Sequence, residues 1–474
     1  MESSRFYING VWRSSSISRP VVNPYSNDEV GRVWQASASD IADAITGAVE
    51  AFEKTRRLSS HDRWEILKSI GEGVGREKDR LARLITTETG KPITSSRLEV
   101  ERAIFTFQTA SEEAKRLNGE VLPLDLSPNA GRRMGIVRRF PLGPVAGITP
   151  FNFPLNLVAH KVGPAIAAGN PIVLKPSSSS PLVALALAEI VDMTPLPKGG
   201  FSVIPCLAEE ADQLITDKGI KLVSFTGSPV VGWTIKERAG RKRVVLELGG
   251  NAGVIVDAGA NLAYALPKIV SGSYGNAGQS CIAVQRIFVD GSIFPGFLGE
   301  FVRLSMSVPV GDPFDEKTVV GPMITEEAAK RVESWIEEAR HAGARVLCGG
   351  HRTGATLDPT VIVDVSPDMN VCAEEVFAPV VTVEPFSEFA DAIAMVNNSR
   401  FGLQAGIFSD SLVNVMSGYD GLDVGGVIVN DVPTYRMDHM PYGGVKDSGF
   451  GREGVKYAIE EMTELKLLGM NIIP

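Results

Sequence analysis

The chain has 474 residues, more than one hydrophobic core normally organises, and its 44% apolar content can fill two or three. Lys and Arg number 47 against 56 Asp and Glu, a net charge of −9 with no basic run, which argues against nucleic acid or an anionic membrane as partner. Four dispersed cysteines, Cys206, Cys281, Cys348 and Cys372, form no CxxC pair and cannot staple a chain this long, so a reducing, cytoplasmic setting is expected.

The N-terminal stretch MESSRFYINGVW carries no apolar leader and reads as a hairpin turning at Asn9-Gly10. No apolar run reaches the roughly 18 residues that would span a bilayer. Ser39 is a candidate cap for a helix whose apolar positions Ile41, Ala44, Ile45, Ala48, Val49 and Phe52 recur at helical spacing, and helices continue to about Leu117. From GPVAGITPFNFP the pattern switches to short apolar strands, PIVLKP, FSVIP, IKLVSFTGS and VVLELGG, separated by helical stretches such as PLVALALAEIVDM. Such alternation predicts a parallel sheet covered on both faces.

A second alternating series, AGVIVD, IAVQRIFVD, ARVLCGG, TVIVDV and GVIVND, predicts a second α/β unit. The segments LPLDLSPNAGRRMGIVRRF and TELKLLGMNII read as strands outside either series, a small protruding sheet that would seek a partner chain. The expected fold is therefore α/β, with two open parallel-sheet units and a small β arm.

Several motifs can be set aside. GFGREG at Gly449 to Gly454 has the spacing of a dinucleotide fingerprint but follows a loop near the end of the chain, with no room for a βαβ unit. There is no GxxxxGK[ST] run and no HExxH, and the five histidines are scattered, so phosphoryl transfer and zinc chemistry lack support. GQSCI lacks the second glycine of a serine-hydrolase elbow.

What remains sits at strand ends, where open α/β sheets bind ligands. Asn152, in PFNFP, is either a turn asparagine or an amide donor to an oxyanion. Lys175 ends the strand IVLK and is either a solvated lysine or a contact to ribose or phosphate. In FTGS, a Gly-Ser turn is either an ordinary connection from strand to helix or an anion site at the helix N-terminal N–H groups. Glu247 ends a strand that otherwise reads as buried and is either a surface glutamate at the strand end or a general base whose pKa desolvation would raise. Cys281, between GNAGQS and the run IAVQRIFV, is either a structural thiol or a nucleophile; as a nucleophile it needs help, because a thiol of pKa about 8.5 is mostly protonated near neutrality.

In order and over nearly the whole chain, PFNFP, KP, FTGS, LELGG, GQSC, EEVFAP and PYGGVKDSGFGREG resemble the aldehyde dehydrogenase superfamily. The branch is similar to lactaldehyde, phosphonoacetaldehyde and non-phosphorylating glyceraldehyde-3-phosphate dehydrogenases. The resemblance implies that Cys281 attacks the aldehyde carbon, that Asn152 and the Cys281 N–H hold the oxyanion, and that Glu247 activates the water that hydrolyses a thioester. It further implies NAD or NADP as cofactor, contacted by Thr149, Pro150, Lys175, Ser178, Gly227, Ser228, Gly232, Glu375 and Phe377. A Rossmann-like cofactor domain is expected from 1–120 and 141–250, a catalytic domain from 251–435, a loop and helix returning to the cofactor domain from 436–459, and oligomerisation strands from 121–140 and 460–474, giving a homodimer or homotetramer.

Departures from the family pattern bear on specificity. Ser178 stands where many NAD-specific members have a glutamate, so nothing there repels a 2′-phosphate. EEVFAP carries Ala378 for a glycine. Ser280 precedes the nucleophile where relatives acting on phosphorylated or phosphonylated aldehydes often have an arginine, which weakens the case for an anionic substrate; His160 and Arg436 are the polar groups expected near the substrate tunnel. Two rivals remain: a CoA-acylating semialdehyde dehydrogenase, against which Glu247 argues, and a non-catalytic structural protein on the same scaffold.

Overall fold

The computed structural model describes residues 3–472. An eight-stranded sheet runs, edge to edge, Val11–Arg13, Phe6–Ile8, Phe201–Val203, Ile172–Lys175, Val145–Ile148, Leu222–Thr226, Arg243–Glu247 and Gly449–Phe450. The middle strands are parallel, as their unbroken apolar runs require, whereas the Asn9-Gly10 hairpin and Gly449–Phe450 add antiparallel edges. Strand order reverses beside Val145–Ile148: successive strands leave it first to one side, then to the other. Such a reversal opens a crevice at the strand C-termini.

A seven-stranded sheet runs Arg345–Cys348, Thr360–Val363, Val380–Phe386, Arg286–Asp290, Gly253–Val256, Gln404–Phe408 and Gly426–Val429, parallel except for its first strand. Only Leu248 to Ala252 separates the end of Arg243–Glu247 from the start of Gly253–Val256. The C-terminal ends of the first sheet therefore face the segments that lead into the second.

The helix Asn156–Ala168 is buried along its entire length, between the first sheet and the helix Ile93–Ala114. Gly163 permits that approach, since a Cβ there would lie 3.1 Å from the Ala110 Cβ. The helix Ala38–Thr55 starts two residues earlier than its periodicity suggests. Ser37, not Ser39, is the cap, and it forms a reciprocal capping box with Asp40 that Ser39 cannot make from inside the first turn.

The protruding strands form a separate three-stranded sheet, Thr463–Asn471, Arg133–Pro141 and Glu120–Pro123. Thr463–Asn471 is an edge strand, paired from Thr463 opposite Pro141 to Asn471 opposite Arg133 and exposing Leu465, Leu467 and Leu468. A hairpin of Ser18–Val22 and Glu29–Trp34, which hydrophobic alternation does not reveal, packs near the first sheet. Among the described residues no helix is long and apolar enough to cross a membrane.

Candidate active site

One cavity of about 500 Å³ opens at the reversal point, and Asn152, Glu247 and Cys281 all line it. They arrive from different elements: Asn152 on the loop after Val145–Ile148, Glu247 at the end of its strand, and Cys281 on the loop leading into Arg286–Asp290.

That last loop is forced into an unusual shape. Asn276 and Ala277 both hold positive φ, and Gly278 must be glycine, because a Cβ would lie 2.1 Å from the Ala378 carbonyl oxygen. The Asn152 amide donates to the Gln279 carbonyl at 3.1 Å, which ties the two loops together, and its oxygen accepts from the Phe153 N–H. The backbone N–H of Cys281 donates to no acceptor among the described residues. An unpartnered N–H beside a side-chain amide is the donor pair an oxyanion needs.

Cys281 is partly exposed to the cavity, and its Sγ lies 3.0 Å from the Tyr442 hydroxyl. Burial pushes its thiol up to about 12; Tyr442 and Arg436 oppose that shift, while Glu375 and Glu247 add to it. Glu247 is buried and neither of its carboxyl oxygens has a hydrogen-bond partner. Burial, then the nearby Glu453 carboxylate, raises its pKa well above the ordinary value. On the cavity lining, this carboxyl group has both oxygens uncommitted to any internal partner.

An ionic network runs from the cavity wall inward: Lys91, Glu99, Arg102, Arg436 and Glu453 line the cavity, and Lys161, His160 and Asp438 are buried beyond them. Glu453 is shared by Lys161 at 3.2 Å and Arg436 at 3.1 Å. Burial opposes its ionisation, but those two cations hold its carboxyl down at about 2. Asp438 accepts from Arg102 at 2.7 and 3.2 Å, from Asn156 at 3.1 Å and from His160 at 2.8 Å. Lys91 pairs with Glu99, both fully buried, and lies 3.8 Å over the Phe153 ring. Glu99 also accepts the N–H groups of Leu155 and Asn156, anchoring the segment just after Asn152.

The remaining sequence-derived candidates divide by position. Pro150, Gly227, Ser228, Glu375, Phe377 and Arg436 line the cavity. Ser228 caps the helix Pro229–Arg238 with its side chain unbonded to that helix, and the Gly227 N–H is held by the Glu247 carbonyl at 3.0 Å. Glu375 accepts from the Gly250 N–H at 3.1 Å, and burial lifts its carboxyl to about 7. Phe377 holds φ of 55° and meets Phe151 edge-on.

Thr149, Lys175, Ser178, Gly232 and His160 are not on that wall. Thr149 is buried and its N–H reaches the Lys175 carbonyl; Lys175 donates to the Pro176 carbonyl at 3.3 Å, and Ser178 is exposed beyond it. Gly232 packs on Leu248, where a Cβ would collide at 2.3 Å. His160, expected near the substrate, is instead sealed behind Arg436 and fixed to Asp438, with burial and the Arg436 charge lowering its pKa. Tyr442, Arg102, Asp438, Lys91, Glu99, Lys161 and Glu453 were not singled out from sequence. Tyr442 and Glu453 lay within the motif PYGGVKDSGFGREG, and Lys161 and Asp438 within PLNLVAHKVGP and YRMDHMPYGG, the segments that carry the likeness to the lactaldehyde branch.

The aldehyde dehydrogenase family matches residues 12–468. The chain belongs to the aldehyde dehydrogenase family. It is 43% identical to the 3-sulfolactaldehyde dehydrogenase of Priestia aryabhattai over 467 residues, covering 98% of each chain. The crystal structure of aldehyde dehydrogenase 21 from Physcomitrella patens, in complex with the reaction product succinate, superposes with a TM-score of 0.98 at 43% identity and 99% coverage of both chains. Glyceraldehyde-3-phosphate dehydrogenase from Methanocaldococcus jannaschii, complexed with NADP, gives 0.92 at 39% identity, covering 97% of this chain and 100% of that one. The protein is thus an NAD(P)-dependent aldehyde dehydrogenase, with two α/β sheets meeting at its site.

Proposed function

We propose that this aldehyde dehydrogenase oxidises a short aldehyde bearing an anionic group at its far end, through a thioester on Cys281, to the free acid. The observation that carries the chemistry is the convergence of Cys281, Asn152 and Glu247 on one cavity. Cys281 adds to the carbonyl carbon, and the oxyanion of the thiohemiacetal sits between the Asn152 amide and the Cys281 N–H. The nicotinamide, when bound, accepts the hydride. The Gly227-Ser228 turn at a helix N-terminus suits a pyrophosphate, and Glu375 and Phe377 suit the ribose and ring beside it. Thr149, Pro150, Lys175, Ser178 and Gly232 complete the proposed cofactor contacts. Glu247, once it has released its own proton to solvent, takes one from the water that hydrolyses the thioester, which favours free acid over acyl-CoA.

The anionic tail is argued from charge. Asp438 answers Arg102, Glu99 answers Lys91, but Glu453 alone answers both Lys161 and Arg436. While Glu247 carries its proton, the form that burial favours, this network holds one positive charge that its carboxylates do not match, and the Arg436 Nε is buried without a partner. 3-Sulfolactaldehyde, succinate and glyceraldehyde 3-phosphate, named for the three relatives described above, all carry an anion away from the reacting carbon, whereas lactaldehyde, named for others, does not. This reverses the weight that Ser280 had carried against such a substrate.

The division into cofactor (1–120, 141–250), catalytic (251–435), returning (436–459) and oligomerisation (121–140, 460–474) segments belongs to the same proposal. So do a homodimer or homotetramer through the exposed edge strand Thr463–Asn471 and residence in the cytoplasm. Residues 473 and 474 lie outside the described residues.

Initial rates with 3-sulfolactaldehyde, succinic semialdehyde, glyceraldehyde 3-phosphate and lactaldehyde, each with NAD and NADP, test the substrate class. Anionic aldehydes should give the higher kcat/KM; equal or better rates with lactaldehyde would overturn the tail assignment. Preferential acyl-CoA formation when CoA is added would overturn hydrolysis. Light scattering at micromolar concentration tests the assembly.

A further inference from the structure

The hydroxyl of Tyr442 is buried, and its one hydrogen-bond partner among the described residues is the Cys281 sulfur, at 3.0 Å. Its position is tightly fixed. Tyr442 exchanges two backbone hydrogen bonds with Glu453, and its ring packs with Ile282 and Leu403 beside Cys281. Over the ring, at 3.7 Å from its centroid, lies the Arg436 guanidinium, itself held by Glu453.

These contacts decide the direction of the hydrogen bond once sulfur ionises. A thiolate can only accept, so the phenol must donate, and a cation against the ring face makes the O–H a stronger donor. The groups facing the sulfur are Tyr442, Glu375, Arg436 and Glu247. The two carboxyl groups, when ionised, and the burial itself disfavour a negative sulfur; Arg436 acts only through space. Tyr442 is the group that gives the sulfur a direct hydrogen bond.

We infer that Tyr442 is a catalytic residue: its hydroxyl, backed by Arg436, donates to the ionised sulfur of Cys281 and sets how much of that cysteine stands ready as nucleophile. The proton lost by the thiol leaves to water, and the phenol keeps its own. When sulfur adds to the carbonyl carbon its charge passes to the oxyanion, which Asn152 and the Cys281 N–H receive; the charge returns to sulfur when hydrolysis breaks the C–S bond, and the phenol meets the leaving thiolate there.

This rests on Cys281 being the nucleophile. The test is the full-length protein alkylated with iodoacetamide across pH 6 to 10, with modification of the Cys281 peptide followed by mass spectrometry alongside wild type and Cys281→Ser. Tyr442→Phe keeps the ring, its packing and the Arg436 contact and removes one oxygen. It should lower Cys281 alkylation at fixed neutral pH by about tenfold or more, displace the pH profile to higher pH, and reduce kcat/KM in parallel. Thiolate absorbance, read as the difference from Cys281→Ser across the same pH range, should move with it.

An unchanged alkylation profile would overturn the inference, as would faster alkylation, the outcome expected if the hydroxyl merely shields the sulfur. If Cys281→Ser itself keeps oxidising aldehyde, the underlying reading fails instead.

Discussion

Replacing Glu247 by glutamine separates the two halves of the proposed reaction. Its carboxyl has no internal hydrogen bond, so the amide fits the same space and breaks no contact. The proton balance also works in favour of folding. The native protein holds a proton on Glu247 that the unfolded chain releases near the ordinary carboxyl value of 4.5. Wild-type stability therefore falls as pH rises from there toward the raised native pKa, and the amide variant does not share that fall. A general base typically contributes about 10²–10⁴ in rate, or about 2.7–5.4 kcal/mol on the hydrolysis barrier at about 1.36 kcal/mol per decade. Rapid mixing of Glu247→Gln with aldehyde and NADP should give one equivalent of NADPH per site, followed by a steady rate lower by that factor. Wild-type kcat should climb with pH as Glu247 loses its proton, and the variant should lack that limb. A variant with normal steady turnover, or one with no burst at all, would refute the assignment of hydrolysis to Glu247.

Asn152→Ala should cost about 10²–10³ in kcat with the fold intact, read by steady-state kinetics and circular dichroism. Lys91→Met leaves Glu99 buried without its cation; breaking such a pair costs about 3–5 kcal/mol, visible as a lower denaturant midpoint or faster thermal inactivation. Ser178→Glu should raise KM for NADP well above that for NAD by placing a negative charge near a 2′-phosphate; unchanged KM values would remove Ser178 from the cofactor site. Arg102→Leu should raise KM for succinic semialdehyde more than for lactaldehyde, and equal changes would mean that Arg102 only supports Asp438.

Much of the fold was legible because it is written in local pattern. Asn9-Gly10 can make the tight turn the hairpin needs, and unbroken runs such as VVLE and GVIV suit strands buried on both faces. The hairpin of Ser18–Val22 and Glu29–Trp34 escaped because Pro20 and the polar residues around it mask the alternation. Ser37 and Ser39 are chemically equivalent in the sequence; only the reach of Asp40 back to the Ser37 N–H selects between them. GFGREG was set aside as a phosphate-binding motif on its context, and its structural use was invisible: Gly449–Phe450 closes an edge of the first sheet, and Glu453 enters the ionic network.

The site divides along the same line. Cys281, Glu247 and Asn152 each sit where a strand meets a loop and carry chemistry that sequence can flag. The groups that condition them are brought together only by tertiary packing. Lys91 and Glu99 lie on opposite sides of a helix start, Arg102 meets Asp438 across most of the chain, and Tyr442 reaches Cys281 from the returning segment. Those contacts change what the flagged residues can do. A cysteine buried among Glu247 and Glu375 would by itself be a poor nucleophile, because burial first, and then the two carboxyl groups, raise the pKa of its thiol. Tyr442 and Arg436 are the local groups that oppose the shift, and they do so from a network whose cations outnumber its ionised carboxylates while Glu247 stays protonated. Because Arg436 both backs Tyr442 and faces the cavity, an anionic aldehyde that draws on its charge also weakens the support of the thiolate beside it. The preference for such a substrate should therefore be read in KM more than in kcat.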